Sequence, residues 1–462
     1  MIDLLAGEHE ITLLAPAPPP LDADREPVET AEAGPDSPGP AGPGRATSAS
    51  ASPPPRVRIE LYRTAGWPRT ALGLARTAGR ALPLQGGLFD HPDLGRRLRR
   101  LAPGADLVVL QLARLAAHTV EVGATPLLVD LVDSLALNLE RRAAVDRGWL
   151  RPLLRREAAL LANAERRLAE RAGGLVVVCA RDRDALAERL PPRLAGRLHV
   201  VPLALEARGG WTEEGGASND VSRAAGADGE TGRERETGVG SSGEAGEERK
   251  TWVGPGGEEG EERETWSEPS GETGAAPGAS QCPAQLAFTG NLGYFVNADA
   301  LTWFLREVWP ALRARLPRLR LLAAGDRPSL AVRRAVARLG DASGVTLLAS
   351  PPNLRPLLAA STVAIAPLRA GSGLPLKILE AWSAGVPVVA TPWAAAGTTA
   401  RPGDDLRVAE TPGEWVETLL HLLADPEERR RLAGNARRRL AADYSRDAVR
   451  KQWNAALAAA VG

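Results

Sequence analysis

The chain has 462 residues and as many lysines and arginines (57) as aspartates and glutamates (57), so its net charge at pH 7 is zero. This length exceeds one ordinary hydrophobic core and predicts two domains. Its apolar runs are too short for a transmembrane helix, its start lacks a secretory-signal pattern, and Cys179 and Cys282 are its only cysteines, which excludes a disulfide framework and a zinc site and favours the cytoplasm.

The charges are unevenly distributed along the chain. Residues 208–283 carry 17 acidic and 7 basic side chains, and the chain outside this segment and residues 17–55 carries 34 acidic and 48 basic ones, a net charge of +14. A net positive charge on this part of the chain favours anionic ligands, such as sugar nucleotides and lipid phosphates, or a membrane surface. A coding bias toward arginine explains the excess equally well. Nucleic acid is not favoured, because no basic cluster is interleaved with aromatic residues.

The predicted N-terminal domain spans residues 1–207 and begins unusually. Residues 3–6 resemble the end of a helix that leads into a strand at 10–14. A doubly wound domain opens with a strand and a glycine-rich turn before that helix. We therefore expect either an N-terminal domain without its first strand or a start codon assigned too late.

Strands and helices then alternate, apart from a segment at 17–55 that is rich in Pro, Gly, Ala and Ser and is predicted to be a disordered insert. A long amphipathic helix is predicted at 155–172. The remaining strands predicted in this half are 56–61, 105–110, 126–131, 174–179 and 198–201.

Residues 208–283 contain a fourteen-residue repeat that starts at Arg233, Glu247 and Glu261. These units have no apolar face with which to stack, so they do not predict a solenoid. We interpret the segment as a disordered, acidic linker.

The second half, residues 284–443, repeats the alternation of strands and helices. Helices are predicted at 298–316 and 376–384, and strands at 286–289, 319–324, 345–348, 362–366 and 387–391. Short apolar strands between helices indicate parallel sheets covered on both faces. The fold class is therefore α/β, with two Rossmann-like domains whose strands end at a shared cleft. The last helix, within residues 444–462, has an apolar stripe centred on Trp453.

The densest motif follows the strand at 362–366. A loop with Gly371, Ser372 and Gly373 precedes a helix that starts near Pro375 and carries Lys377 and Glu380 three residues apart. Amides at such a helix start favour a diphosphate, the lysine can meet its oxygens, and the carboxylate can accept hydrogen bonds from a ribose diol. Only 3 of the 57 basic residues are lysines, which supports a selected role for Lys377 over an ordinary surface pair.

This motif, together with residues 385–391, resembles the signature of group 1 glycosyltransferases (family 4). The resemblance is closest to the branch associated with exopolysaccharide and exosortase-linked sugar transfer. Further similar stretches are residues 288–291, 297–300 and 130–134 and the region from Glu165 to Asp182.

The resemblance implies a GT-B fold and a retaining, metal-independent enzyme without a cofactor, using a UDP- or GDP-linked sugar and a glycan or lipid-linked acceptor. It also implies that the terminal helix, within residues 444–462, crosses back onto the N-terminal domain. Glu380 would hold the ribose. Lys377 and the amides near Gly373 and Leu374 would hold the diphosphate. The remaining donor-site residues would be Gly290 and Asn291 near the phosphates, Gly371 and Ser372 in the loop, and Ser350 beside the base.

The chain departs from the family where many members carry a glutamate and it has Ser372. With the missing first strand, this keeps two alternatives open: a catalytically impaired scaffold that binds a partner or a nucleotide sugar, and a sugar-nucleotide epimerase of the same fold.

Asp133 and His118 are the catalytic candidates of the first half. Asp133 ends a predicted strand and therefore either faces the cleft or caps a helix. His118 is expected either to face the acceptor in the cleft or, as is more common for a lone histidine, to have a structural role. The five histidines show no metal-ligand spacing. The expected working place is the cytoplasm, with peripheral contact at the inner face of a membrane.

Overall fold

The computed structural model describes residues 1–17, 57–64, 75, 83–145, 148–205 and 283–462. All but the first residue of the predicted insert at 17–55, and all but Pro283 of the predicted linker at 208–283, lie outside the described residues. So does Cys282.

Within its described residues, the N-terminal domain has six parallel strands in two separate sheets. A two-stranded sheet joins β1 to β2, and a four-stranded sheet has the order β3-β4-β5-β6. The strands are β1 (Ile11–Pro16), β2 (Val57–Tyr62), β3 (Val108–Gln111), β4 (Leu127–Val132), β5 (Gly174–Val177) and β6 (Leu198–Val200).

The break between the two sheets falls at the position that the first strand occupies in a doubly wound sheet. In the doubly wound order 3-2-1-4-5-6, the first strand lies between the second and the fourth, and here these correspond to β1 and β3. Leu14 of β1 and Val108 of β3 pack against the same small cluster of Tyr62, Leu94 and Leu98, although no backbone ladder joins the two strands.

Helices connect these strands. The long helix α6 (Arg151–Arg171) agrees with the predicted helix and packs against α5 (Leu135–Val145), with Leu161 and Leu168 in the domain core. The helices of this domain are α1 (Ile2–Leu5), α2 (Leu84–Leu88), α3 (Pro92–Leu101), α4 (Thr119–Val122), α5 (Leu135–Val145), α6 (Arg151–Arg171), α7 (Ala180–Ala187) and α8 (Pro192–Ala195), with 3-10 turns at Ala102–Gly104 and Ala113–His118.

The C-terminal domain is built on one parallel sheet of six strands in the order β12-β11-β10-β7-β8-β9. Its central strands are buried on both faces, as their continuous apolar sequences require. The strands are β7 (Gln285–Thr289), β8 (Arg320–Gly325), β9 (Val345–Ala349), β10 (Val363–Ala366), β11 (Val388–Ala390) and β12 (Arg407–Val408). The two-residue edge strand β12 was not predicted.

The helix predicted at 298–316 is wrong as one element. It forms two helices, because Pro310 has no amide hydrogen and is accepted only in a first turn, where it starts a new helix. The helices are α9 (Phe295–Glu307), α10 (Trp309–Arg315), α11 (Leu330–Leu339), α12 (Arg355–Ala359), α13 (Leu376–Ser383), α14 (Pro392–Ala395), α15 (Pro412–Ala424), α16 (Pro426–Tyr444) and α17 (Arg446–Val461), with a 3-10 turn at Asp341–Ser343.

The terminal helix α17 packs on the N-terminal domain. Trp453 is 5% exposed and shares an apolar cluster with Leu128 of β4 and Val176 of β5. The helix packs tightly against the residue before β5, since a Cβ added to Gly173 would lie 2.4 Å from the Ala460 carbonyl oxygen. The last helix therefore links the two domains. In the part of the chain that the structure describes, no helix is both long and apolar enough to cross a membrane.

Candidate functional site

The glycine-rich loop connects β10 to α13 and depends on glycine at two positions. Gly371 has φ +105° and Gly373 has φ +76°, backbone angles that other residues rarely adopt. A Cβ on Gly371 would meet Val296 at 3.2 Å, and a Cβ on Gly373 would meet Asp133 at 3.3 Å. Leu374 packs partly on the domain core. The loop thus lies between α9 of its own domain and the end of β4 of the other.

Lys377 is buried beneath this loop. Its Nζ donates to Asn297 Oδ1 at 2.8 Å and lies 3.8 Å from the centroid of the Phe288 ring. Burial lowers the pKa of Lys377 to about 7, although the Glu380 carboxylate acts in the opposite direction. The lysine therefore lacks a fully compensating charge in the described structure, and an anion bound here would supply it.

The backbone next to Lys377 approaches closely because of two more glycines. A Cβ on Gly290, which has φ +130°, would lie 3.5 Å from Lys377 Nζ. A Cβ on Gly325 would lie 1.7 Å from the Gly290 carbonyl oxygen. The ends of β7 and β8 can meet beside the lysine only without these side chains.

Asn291 shapes the start of α9. Its Oδ1 accepts from the amides of Gly293 at 3.0 Å and Tyr294 at 3.2 Å, and its carbonyl accepts from Asn297 Nδ2 at 2.9 Å. This side chain holds the turn that places Asn297 against Lys377.

Glu380 lies one turn beyond Lys377 on the same helix. It is partly exposed, and burial raises its pKa while the charge of Lys377 lowers it. The carboxylate is therefore within reach of a ligand that also contacts the lysine.

Strained backbone occurs at the carboxyl ends of strands in both domains. Among the residues that the structure describes, four other than glycine have positive φ: Leu112 at 73°, Val132 at 59°, Arg327 at 47° and Ser350 at 48°. A β-branched residue such as Val132 is a clear outlier at this angle. Such strain is common at functional sites. Here the strained residues lie at the carboxyl ends of the strands, the ends at which ligands bind in parallel sheets. The Ser350 amide donates to the Gly325 carbonyl at 2.9 Å, so this amide is not the group open to a base.

Asp133 reaches the glycine-rich loop from the N-terminal domain. Ser372 donates its hydroxyl hydrogen to Asp133 Oδ2, and Asn138 Nδ2 donates to the same oxygen at 3.1 Å. Asn138 Nδ2 also lies 3.0 Å from the hydroxyl of Tyr294, in the C-terminal domain. These four residues form a polar cluster that contains side chains of both domains.

Asp182, at the start of α7, is completely buried and binds the same loop. Its Oδ2 accepts the Gly373 amide, and its Oδ1 accepts from Arg141 at 2.6 Å and Arg181 at 3.3 Å. This corrects the expectation for Gly373, because a carboxylate of the other domain already occupies the amide that we had assigned to the diphosphate. The role of the Leu374 amide stays a prediction.

The two arginines extend the connection between the domains. Arg181 donates to the Gly373 carbonyl at 2.9 Å and the Trp393 carbonyl at 2.8 Å, and Arg141 donates to the Gly371 carbonyl at 3.1 Å. Both guanidinium groups lie within 4.7 Å of the centroid of the Trp393 ring. These contacts are favourable cation–π geometry.

Glu165 is a buried carboxylate that holds the start of α5. Its carboxylate accepts from Ser134 Oγ at 2.7 Å and the Ala136 amide at 3.1 Å, so it caps the start of α5. Burial raises the pKa of Glu165 to about 7 despite these hydrogen bonds. The residue fixes the segment that carries Asp133.

His118 does not fit a role in contacting an acceptor. It is 2% exposed, and its Nε2 contacts the Phe89 carbonyl at 3.2 Å and the His91 amide at 3.3 Å. The expectation that His118 faces the cleft is wrong, because its ring is enclosed by the loop that leads into α3.

Sequence reasoning gave no role to Asn297, Asp182, Arg141 or Arg181. Asn297 and Asp182 belonged to stretches noted for their resemblance, and the backbone carbonyls that accept from the two arginines lie in the other half of the chain. The described residues contain no group of three His, Cys, Asp or Glu side chains placed to hold a metal ion.

The chain is similar to several known proteins. Residues 283–425 match the family model named Glycosyl transferases group 1. An uncharacterized 44.6 kDa protein in the cps region of Klebsiella pneumoniae is 26% identical over 154 residues. That match covers 32% of this chain and 39% of the relative's own length.

Solved structures share the fold at low sequence identity. Anabaena HepE in complex with UDP is 12% identical, with a TM-score of 0.54 over 87% of this chain and 86% of HepE. Sucrose-phosphate synthase from Thermosynechococcus elongatus is 14% identical, with a TM-score of 0.56 over 87% of this chain and 83% of that protein. The two parallel-sheet domains form a GT-B fold, as the sequence predicted.

Proposed function

We propose that this chain transfers a sugar from a nucleotide-sugar donor with retention of configuration. The support is the match of residues 283–425 to the model of group 1 glycosyl transferases and the GT-B fold of the two domains. The observation that carries the proposal is the buried Lys377, whose Nζ lies beside Gly290 and one helical turn from the Glu380 carboxylate. A buried cation at a glycine-lined strand end, next to a carboxylate, suits a nucleoside diphosphate.

In the proposed donor site, Lys377 and the Leu374 amide bind the diphosphate and Glu380 accepts from the ribose hydroxyls. Ser350, at the end of β9, lies beside the base. We propose a uridine donor first, because the structure of HepE holds UDP and another structure of that protein holds UDP-glucose.

The polar cluster of Asp133, Asn138, Ser372 and Tyr294 would face the transferred sugar. The acceptor hydroxyl attacks the anomeric carbon on the face from which the diphosphate leaves, and its proton passes to the leaving phosphate oxygen. The bond from the anomeric carbon to that oxygen breaks as the new glycosidic bond forms. Lys377 stabilises the charge on the leaving group.

We propose a glycan or lipid-linked acceptor in exopolysaccharide or other cell-surface biosynthesis, in the cytoplasm at the inner face of a membrane. The support is the sequence resemblance and the similar protein from a cps region.

The test measures donor binding and turnover together. Calorimetry with UDP, GDP and their glucose conjugates identifies the nucleotide, and NMR of the slow hydrolysis of the bound donor shows which anomer is released first. Retention predicts the anomer of the donor. Glu380→Gln should weaken donor binding by about 1.5–3 kcal/mol, and Lys377→Ala should weaken UDP more than uridine. Equal losses for UDP and uridine would remove Lys377 from the phosphate role.

A second candidate is a protein that binds a nucleotide sugar without turnover. The break between the two N-terminal sheets favours it, because this domain would help to bind the acceptor. Donor binding that depends on Lys377, with neither hydrolysis nor transfer, would support this candidate over an enzyme.

A further inference from the structure

A row of rings connects the carboxyl end of β2 with the turn that follows β3. Tyr62 is the last residue of β2, and its ring centroid lies 5.6 Å from that of His91. The His91 ring lies 6.2 Å from the Phe89 ring, and the guanidinium carbon of Arg114 lies 5.2 Å from the centroid of the Phe89 ring, a cation–π distance. Tyr62 and His91 are buried, whereas Phe89 and Arg114 are half-buried. The row therefore starts in the core and becomes accessible at Arg114.

His118 holds this row in place. It belongs to the same 3-10 turn as Arg114, Ala113–His118, and its Nε2 contacts the Phe89 carbonyl at 3.2 Å and the His91 amide at 3.3 Å. A buried side chain thus joins the turn to the loop that carries the two rings. Because both segments hold Arg114 over Phe89, a ligand that binds the guanidinium group loses less conformational entropy on its account.

Arg114 lacks a counter-charge among the residues that the structure describes. Its Nε is buried without a hydrogen-bond partner, and no described carboxylate forms an ion pair with it. The nearest acidic residue along the chain, Glu121, is directed elsewhere, since its Oε1 accepts from Arg99 at 3.3 Å and its Oε2 lies 3.8 Å from His118 Nδ1. Asp90 is exposed and makes no ion pair with Arg114. A partly buried cation in these surroundings favours an anionic ligand.

The turn that carries Arg114 starts beside the segment that carries Asp133. Gln111, the last residue of β3, pairs with Asp130 of β4, and its Nε2 donates to the Asp130 carboxylate at 3.4 Å. Arg114 follows Gln111 by three residues, as Asp133 follows Asp130. Neighbouring strands lie about 4.8 Å apart, so the two segments leave the sheet side by side.

The sheet order places β3 away from the interdomain contacts of β5. The glycine-rich loop is contacted by Asp133 after β4 and by Asp182 after β5, and β3 lies on the opposite side of β4 from β5. An acceptor that approaches the polar cluster from the side away from Asp182 passes the end of β3, where Arg114 lies.

We propose that Arg114 binds an anionic group of the acceptor, a phosphate or a carboxylate, and so restricts the acceptor to negatively charged glycans or lipid-linked sugars. This inference rests on the proposed transferase function and narrows its acceptor. The planar guanidinium can donate two parallel hydrogen bonds to either group. The net charge of +14 outside residues 17–55 and 208–283 also favours an anionic ligand.

The test compares three sugars of different charge on the full chain. The chain is saturated with UDP, which occupies the candidate diphosphate site, and is then titrated with glucose, glucose 6-phosphate and glucuronate by ligand-observed NMR. We expect an anionic sugar to bind roughly tenfold more tightly than glucose, and the two anionic sugars distinguish a phosphate from a carboxylate. Arg114→Gln should remove this preference and leave the binding of glucose unchanged.

Arg99→Gln is the matched control, because the Arg99 side chain is 59% exposed in the same domain and is already paired with Glu121. It should bind all three sugars like the wild type, and a loss equal to that of Arg114→Gln would overturn the proposal in favour of overall charge. Equal binding of the three sugars by the wild type, or an unchanged preference in Arg114→Gln, would also overturn it.

Two further variants keep the result decisive. If Arg114→Gln does not fold, Arg114→Lys takes its place: its ammonium cannot donate two parallel hydrogen bonds, so it should bind the anionic sugar more weakly than the wild type, and equal affinity would overturn the proposal. A chain that does not bind UDP would contradict the proposed function instead. The same titration of Lys377→Ala without UDP, with and without Arg114→Gln, then still measures the contribution of Arg114.

Discussion

The carboxylate of Asp182, in the N-terminal domain, accepts the backbone hydrogen of Gly373, in the loop that precedes the Lys377 helix. Asp182 is completely buried, and its other oxygen is bound to Arg141. The conformation of the loop in one domain therefore depends on a charged side chain of the other, which links the N-terminal domain to the candidate donor site.

Replacing Asp182 with Asn tests this coupling. Removal of one member of a buried ionic network leaves the arginines without their counter-charge, so we expect a loss of about 3 kcal/mol in stability and weaker binding of UDP. Thermal unfolding and calorimetry measure the two effects. Asp184→Asn is the control, since Asp184 lies on the same helix with a side chain that is 62% exposed. Equal UDP affinity in the Asp182 variant and the wild type would show that the loop keeps its shape alone.

The pKa of Lys377 predicts how donor binding depends on pH. Its pKa of about 7 in the free protein leaves the lysine partly neutral above neutral pH. A bound diphosphate favours the protonated form, so binding takes up a proton, and affinity for UDP should fall from pH 7 to 9 by up to about tenfold per unit.

Lys377→Ala supplies the comparison for this prediction. It should bind UDP more weakly and show no decline across the same range, because it has no lysine to titrate. Calorimetry in two buffers of different ionisation enthalpy measures proton uptake directly. Uptake that persists in Lys377→Ala would assign the titration to another group.

Glu165 predicts a pH dependence of stability. Its pKa is about 7 in the folded chain against 4.5 for an ordinary glutamate, so between these values the folded state binds more protons than the unfolded state. The stabilisation from this group is fully present below pH 4.5 and is lost as the pH rises through 7, by up to about 3 kcal/mol.

Between pH 5 and 7.5, the unfolding temperature of Glu165→Gln should depend less on pH than that of the wild type. Glu170→Gln, at an exposed position of the same helix, should keep the pH dependence of the wild type. An unchanged slope in the Glu165 variant would place the titration elsewhere.

The burial of Trp453 indicates how strongly α17 is held on the N-terminal domain. Truncating a buried tryptophan costs about 3–5 kcal/mol, and Trp453 packs on β4 and β5 of the other domain. Trp453→Ala should therefore speed hydrogen exchange throughout Arg446–Val461 and lower activity, while the two sheets keep their protection. Val461→Ala, at a 55% exposed position of the same helix, should leave exchange unchanged. Slow exchange of α17 in the Trp453 variant would contradict the prediction.

Much of the fold was determined by local sequence. Apolar runs such as 362–366 predicted buried parallel strands, because a strand covered on both faces has no polar side to alternate with. Lys377 and Glu380 were placed together from their spacing alone, since residues three apart share a helix face. The break in the helix at Pro310 was also available from the sequence and was missed.

Only the tertiary structure decided which groups of the N-terminal domain meet the glycine-rich loop. Asp182 and Gly373 are 191 residues apart in the chain, and Asp133 and Ser372 are 239 apart. Local periodicity determines the direction of a side chain within its own element. Contacts between elements depend on how whole domains pack, on strained residues such as Val132 that redirect the chain, and on which buried charges find a partner.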